Sequence, residues 1–186
     1  MRPQKISDRE LIDKLFAVFR AKGYSGARIN ELAALTGLKK ASLYYRFPGG
    51  KEDIVKAVLV DMSAWSEKNI VGVLESPNLD ADTRLEVTLS NINKLYGRGK
   101  KSCLFESLSL DDGLQLLGHE IKQSLRTWIR AFTTYGQSIG LNRIAAEKKA
   151  NEVVTLIQGS LVVSRIMEDN SSWAEAMKRI EKLYNY

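Results

Sequence analysis

The feature that most constrains this chain is a stretch of twenty residues near its N-terminus, 28–47, in which two short helical patterns flank a glycine. The first pattern has apolar residues at spacings of three and four, which lie on one side of a helix: Ile29, Leu32 and Ala33. Gly37 supplies a sharp turn, and Leu43 and Phe47 give the next helix its own apolar stripe. The stretch therefore predicts a helix-turn-helix, two short helices that share one small core.

The opposite side of the second helix carries residues that are unusual for a soluble surface: Lys40, Ala41, Tyr44 and Tyr45. Tyrosine can rest its ring on a sugar and bond a phosphate, and lysine can donate to a phosphate or to guanine. Residues 1–56 hold twelve Lys or Arg against six Asp or Glu, whereas residues 57–186 hold sixteen of each sign. We interpret this face as a DNA recognition helix whose binding weakens with salt; a solvated basic surface is the alternative.

The rest of the chain is predicted to be helical. Only three prolines occur, and no alternating pattern indicates a sheet, so we expect an all-α fold of about nine helices. A capping-box pattern at 7–10 opens the first helix, which Gly23 ends, and Lys51 opens a long helix after the turn at 48–50. Later patterns lie at 82–97, 103–111, 113–137, 142–168 and 172–184. We place a domain boundary near residue 56, between a helix-turn-helix domain (1–56) and an irregular helical bundle (57–186).

The segment Ser42–Phe47 (SLYYRF), followed by Lys51-Glu52, resembles the TetR/AcrR family of one-component transcriptional regulators. The turn 47–52 and the later 103–105 (CLF) are similar to its LmrA/YxaF-like subgroup. The resemblance implies a homodimer whose N-terminal domains enter successive major grooves of a palindromic operator. It also implies that residues 57–186 form the dimer and bind a small apolar or aromatic effector. Release of the DNA by that effector would relieve repression.

By the motif alignment, the resemblance places nine residues at the DNA: Arg28, Asn30, Lys40, Ala41, Ser42, Tyr44, Tyr45, Arg46 and Lys51. Lys40 is the candidate base reader, Ala41 offers a methyl group to thymine, and Tyr44 can bond a phosphate. The simpler interpretation of Lys40 is an exposed lysine without a DNA contact, and that of Tyr44 is a core tyrosine. Lys51 opens a helix, where a phosphate could bind, although a lysine near a loop can equally be only solvated.

Three positions depart from the family's pattern. Arg28 stands where a capping threonine is usual, Arg46 stands where a histidine or tyrosine is frequent, and the turn before Lys51 is one residue longer than the commonest form. Both arginines add positive charge, which favours phosphate contact.

In the C-terminal part, six side chains could line an apolar effector pocket: Trp65, Tyr96, Phe105, His119, Trp128 and Phe132. A plain core position, or an exposed one for His119, is the alternative for each. The apolar positions between Val153 and Val162, together with the small Gly159 and Ser160, allow another helix to approach closely. Residues 142–168 and 172–184 would then form a four-helix dimer interface with their copies, unless the first of them is an internal core helix.

Other classes of protein find less support. An enzyme is not expected, because the chain has one Cys and one His, no paired metal ligands and no glycine-rich phosphate loop, and we expect no cofactor and no metal site. The alternative regulator is a DNA-binding dimer without small-molecule sensing that a protein partner controls. Without a membrane span or a secretory signal in 1–5, the chain is expected in the cytoplasm, where Cys103 is a plain buried thiol or a redox sensor.

Overall fold

The computed structural model describes residues 6–110 and 112–184. Within these residues the chain forms nine helices and no strand, which confirms the all-α prediction. They are α1 (Asp8–Gly26), α2 (Ile29–Thr36), α3 (Lys40–Arg46), α4 (Lys51–Ser66, continued by the turns Glu67–Val71 and Gly72–Leu74), α5 (Ala81–Leu95), α6 (Leu104–Leu108), α7 (Asp112–Ser138), α8 (Arg143–Met167) and α9 (Ser171–Tyr184). Residues 1–5, on which the expected absence of a secretory signal depends, lie outside the described part.

The chain divides into two compact units. The head unit holds the residues up to Ser63 together with Leu104–Ile121, and the bundle unit holds Ala64–Cys103 together with the residues from Lys122 onward. Helix α6 and the first turns of α7 therefore belong with the N-terminal helices. The functional boundary near residue 56, between a DNA-binding domain and an effector-binding domain, stays a prediction.

The head unit is built on α1 and the helix-turn-helix. Ser7 accepts a hydrogen bond from the N–H of Glu10 at 3.2 Å, so the predicted cap opens α1, and the helix is interrupted at Gly23. The hydroxyl of Ser107 donates to the carbonyl of Arg20 at 2.7 Å and fixes α6 on α1. The core of the head unit contains apolar side chains from all four N-terminal helices: Leu11, Leu15, Phe19, Leu32, Leu43, Ile54, Val55 and Val58.

The bundle unit packs α5, α8, α9 and most of α7 around aromatic residues. Asp80 and Asn142 cap α5 and α8 through side-chain oxygens that accept backbone N–H groups at 2.9 Å. The buried thiol of Cys103 accepts hydrogen bonds from the hydroxyl of Tyr96 at 3.5 Å and the amide of Gln158 at 3.4 Å. The core is completed by large buried side chains: Ile70, Leu74, Ile92, Trp128, Phe132, Tyr135, Ile157, Trp173 and Ile180.

Helix α4 departs from the plain long helix that the sequence predicts. Its segment Glu67–Val71 is a π-helical turn, in which the N–H of Gly72 bonds to the carbonyl of Glu67, five residues earlier. Side-chain amides bond to two backbone carbonyls in and just before this segment. The amide of Asn69 donates to the carbonyl of Trp65 at 2.8 Å, and the amide of Asn91 donates to the carbonyl of Asn69 at 3.0 Å. The turn is therefore held by hydrogen bonds from α4 itself and from α5.

None of the helices in the described part of the chain combines the length and the apolar character that crossing a membrane demands.

Candidate nucleic-acid interface

The turn between α2 and α3 sets the direction of the second helix. Gly37 has φ 69° and ψ 14°, a left-handed conformation that glycine adopts without steric cost. The N–H of the next residue, Leu38, bonds back to the carbonyl of Ala33 at 3.1 Å. Leu32 of α2 and Leu43 of α3 are completely buried, so the two short helices share a core as predicted. The packing fixes α3 with one side against the head unit and the other toward solvent.

Phe47 is a partial exception to the predicted core. It is only half-buried, because it caps α3 with φ −131° and the backbone leaves the helix there. Its side chain therefore no longer follows the spacing that starts at Leu43. The apolar stripe of α3 consists mainly of the one leucine.

The outward side of α3 carries the residues predicted to read DNA. Tyr45 is 89% exposed and Tyr44 is 48% exposed, so two consecutive aromatic side chains of one short helix face solvent. Lys40 and Ala41 are exposed on the same short helix, and Ser42 is half-buried. Tyr44 is therefore no core tyrosine, although its ring lies against the backbone of Gly50 in the following turn.

The start of α2 adds two polar side chains. Arg28 is the cap residue by its backbone, with φ −91° and ψ 141°, but its side chain makes no capping hydrogen bond. Both Arg28 and Asn30 are exposed. Replacement of the usual threonine thus leaves the helix end without a side-chain cap, and it leaves a guanidinium available to an anion.

Arg46 and Lys51 have partners inside the head unit. The guanidinium of Arg46 donates to the carboxylate of Asp8 at 3.0 Å. The ammonium of Lys51 donates to the carbonyl of Tyr24 at 3.0 Å and lies 4.2 Å from the centroid of that ring. Burial, followed by the charges of Glu52 and Asp112, raises the pKa of the Tyr24 phenol. The predicted phosphate contacts of Arg46 and Lys51 would have to compete with these interactions.

The start of α4 already holds an acidic group. The carboxylate of Asp53 accepts a hydrogen bond from the N–H of Gly49 at 2.6 Å, in the turn whose extra residue distinguishes this chain. A carboxylate at a helix start occupies the place where exposed N–H groups would otherwise attract a phosphate. Phosphate binding by Lys51 stays a prediction, and the backbone of this helix start offers it less help than the sequence indicates.

Sequence reasoning left out one basic residue of this surface. Lys39 is exposed and precedes α3 as its cap residue, with no side-chain capping bond. No ion pair of the described residues involves Lys39 or Lys40. The Lys-Lys dipeptide was the available signal. We define the reading face as the exposed residues Lys39, Lys40, Ala41, Tyr44 and Tyr45.

The six predicted effector contacts fall in both units. Phe105 is buried and His119 is exposed in the head unit, and the other four lie in the bundle unit. There Tyr96, Trp128 and Phe132 are buried and Trp65 is half-buried. The indole N–H of Trp128 donates to the hydroxyl of Ser66 at 3.1 Å, next to Trp65 in the chain. Effector binding by the six residues stays a prediction.

Comparisons with known proteins agree with this architecture. The family model described as "Bacterial regulatory proteins, tetR family" matches residues 11–58. The HTH-type transcriptional regulator LmrA of Bacillus subtilis (strain 168) is 22% identical over 167 residues, 85% of this chain and 86% of LmrA. A TetR transcriptional regulator from Legionella pneumophila has a similar structure with a TM-score of 0.83 at 20% identity, covering 98% of this chain and 100% of that one.

A second solved structure includes DNA. It is a cysteine mutant of the TetR family transcriptional regulator CifR, complexed with 26-bp double-strand operator DNA. Its TM-score is 0.77 at 16% identity, and the match covers 100% of both chains. The structural matches establish a common fold over nearly the whole chain, and the relatedness to LmrA agrees with the subgroup predicted from the sequence.

Proposed function

Because this chain belongs to the TetR family of DNA-binding transcriptional regulators, we propose that it is a homodimeric repressor that a small apolar or aromatic effector releases from a palindromic operator. The reading face of α3 is the observation that carries the proposal. Two tyrosines and Lys40 are exposed there on one short helix, and the exposed Lys39 caps it. Neither lysine has an ion-pair partner among the described residues. The CifR complex with operator DNA supports this role by similarity.

Each residue of the interface has a part that its chemistry suits. Lys40 donates to the O6 and N7 atoms of guanine, and Ala41 places its methyl group against a thymine methyl. Tyr44 and Tyr45 bond phosphates and rest on sugars. The remaining polar residues contact the sugar-phosphate backbone of the DNA around these positions: Arg28, Asn30, Lys39, Ser42, Arg46 and Lys51.

The exposed side of α8 supports the dimer. The side of α8 that carries Val153, Ile157 and Leu161 is buried within the chain and belongs to the internal core. A second stripe of α8 is apolar and exposed, apart from the half-buried Leu156: Leu156, Gly159, Val163, Ile166 and Met167. Ile166 is 71% exposed and Met167 is 68% exposed. A groove of about 620 Å³ between α8 and α9 continues the stripe. A copy of the same two helices would cover it in an isologous contact.

Effector control follows from the dimer. Two heads must reach successive major grooves, whose half-sites lie roughly 34–36 Å apart. An effector that binds among the aromatic residues of the bundle unit and changes this separation lowers operator affinity. A coupling free energy on the order of 1–3 kcal/mol is sufficient for regulation.

The proposal is tested by selection of genomic DNA fragments with the purified full-length protein at near-physiological salt, followed by sequencing. The matched variant is Lys40→Ala/Tyr45→Ala, since both side chains are exposed and their removal should leave thermal unfolding unchanged. We expect a palindrome that the variant fails to enrich. Equal enrichment by the folded variant, or no enrichment by either protein, contradicts the assigned reading face.

The effector part has its own test. Compounds that raise the unfolding temperature of the protein are added to its complex with the selected fragment. Release of the fragment supports effector control. If compounds bind and leave operator affinity unchanged, a protein partner becomes the better candidate for the regulator.

A further inference from the structure

A groove of about 810 Å³ runs along the bundle unit, between α5 and α9 and beside the loop that follows α5. Its floor is apolar and includes Leu89, Trp173 and Met177. None of the six predicted effector contacts lines it. Tyr96, one of the six, packs edge-on against Trp173 with ring centroids 5.5 Å apart, but its side chain does not line the groove. The groove lies on the side of α9 away from the groove assigned to the dimer.

The charges that line this groove are distributed unevenly. Lys94, Arg98 and Lys100 lie together at the loop end and are exposed. Within the described residues none of the three takes part in an ion pair. Two acidic residues also line the groove, farther along its helices. Glu86 of α5 comes eight residues before Lys94, and Glu181 of α9 comes eight residues after Trp173, which is about 12 Å along a helix in each case. One end of the groove is thus positive.

The loop is built to hold these cations against the groove. Arg98 has φ 56°, a left-handed conformation that is uncommon for a residue with a side chain. Its N–H bonds to the carbonyl of Asn93 at 2.8 Å, and the side chain of Asn93 accepts the indole N–H of Trp173 at 2.7 Å. A Cβ atom at Gly99 would lie 2.6 Å from the Cβ of Trp173, so the loop packs directly on the tryptophan. The loop therefore holds its cationic residues next to the aromatic floor of the groove.

We propose that this groove binds a small organic anion that carries an apolar ring. The ring lies along Leu89, Trp173 and Met177, and the carboxylate or equivalent group meets Arg98, Lys94 and Lys100. A guanidinium forms paired hydrogen bonds with a carboxylate, which makes Arg98 the principal contact. Glu86 at the far end disfavours the reverse orientation. The site goes beyond the proposed function, because it uses none of the predicted effector contacts.

The three tryptophans of the chain provide a readout that separates the two regions when it is combined with the Arg98→Gly variant described below, because Tyr96 of the predicted effector contacts packs on Trp173. Trp173 lies in the groove, whereas Trp65 and Trp128 belong to the predicted effector pocket. The probes are benzoate, its neutral analogue benzamide, and acetate, which has the charge without the ring. The indole N–H signals of the isotope-labelled full-length protein are assigned sequentially and followed during titration. We expect benzoate to move the Trp173 signal, and we expect benzamide and acetate to bind at least about fivefold more weakly.

Arg98→Gly is the decisive variant, since glycine adopts a φ of 56° readily and the fold should be kept. We expect it to bind benzoate about fivefold more weakly, with an unchanged unfolding temperature. Lys148→Gln removes an exposed charge outside the groove and should have no effect.

The proposal is overturned if the Trp173 signal does not respond, if benzamide or acetate binds as well as benzoate, or if Arg98→Gly binds like the original protein. Movement of the Trp65 and Trp128 signals alone would support the predicted effector pocket and reject the groove. Failure of both regions to respond to benzoate would reject the groove and leave the operator tests unaffected.

Discussion

The salt dependence of DNA binding should change by a calculable amount when the reading face loses its lysines. Lys39 and Lys40 are exposed at the start of α3, and no ion pair of the described residues involves either of them. Their charge is therefore available to displace counterions from DNA. The perturbation is Lys39→Gln/Lys40→Gln, which keeps the polar length of the side chains and removes two charges from each protomer.

Four charges are lost in a homodimer. Each neutralised phosphate contributes about 0.9 to the slope of log K against log salt, so the slope should fall in magnitude by up to about 3.6. Over a fourfold rise in salt, from roughly 50 to 200 mM, the original protein then loses up to about 150-fold more affinity than the variant. A protein that bound as a monomer would show only about half the change in slope.

Fluorescence anisotropy with the selected operator fragment measures the slope. Lys122→Gln/Lys148→Gln is the matched control, since both lysines are exposed in the bundle unit and their loss should leave the slope unchanged. The unfolding temperature of each variant checks that the fold is kept. A slope equal to that of the original protein in Lys39→Gln/Lys40→Gln would refute the assignment of α3 to the DNA, as would an equal change in the control.

Three other predictions concern the dimer, the head unit and alkaline pH. Ile166→Glu places a charge on the exposed stripe of α8 and should turn a dimer into a monomer in sedimentation equilibrium without lowering the stability of the chain; a persistent dimer would place the interface elsewhere. Asp8→Asn removes the partner of Arg46 and should raise operator affinity by a few-fold in the same anisotropy assay, and a loss of affinity would mean that the ion pair positions Arg46 for binding. Burial raises the pKa of the phenols of Tyr135 and Tyr184, so these groups ionise more readily in the unfolded chain. The free energy of unfolding should therefore be maintained below about pH 10 and fall as the pH rises above it. In the variant Tyr135→Phe/Tyr184→Phe, the free energy of unfolding measured by urea titration should fall less over that pH range. An equal fall in both proteins would mean that other groups cause the pH dependence.

The helices and their order were predictable because apolar spacing and local caps carry them. The long pattern at 113–137 corresponds to α7, Asp112–Ser138, and 142–168 corresponds to α8, Arg143–Met167. The π-helical turn of α4 was not predictable from spacing. It depends on the amide of Asn91, a residue of α5 that lies twenty-two positions beyond Asn69 in the chain. The membership of α6 in the head unit has the same kind of cause, a contact between Ser107 and Arg20 across eighty-seven positions.

The candidate site divides in a similar way. Exposure of Tyr44 and Tyr45 follows from the helical period, which places them away from Leu43, and the sequence was enough to predict it. Arg46 bonds to Asp8 and Lys51 bonds to Tyr24, both in α1. No local sequence pattern predicts these partners, because they are distant in the chain. The count of charges predicts a basic head unit, but the fold is needed to determine which of its basic side chains already bond to other residues of the chain.

Residues that hold the head unit together are thus distinct from the residues predicted to read DNA, although both lie on the same few turns of helix. Leu32 and Leu43 are completely buried, whereas the side chains of Lys40 and Tyr45 are exposed and make no hydrogen bond within the part of the chain that the structure describes. Loss of a buried leucine costs roughly 2–5 kcal/mol of stability, while an exposed substitution usually changes it by less than about 0.5 kcal/mol. Specificity for a new operator can therefore arise on α3 by single exposed substitutions without loss of the fold. Arg46 and Lys51 are the exceptions, because each already bonds to a residue of α1, and a change at either would alter that interaction together with the predicted contact to DNA.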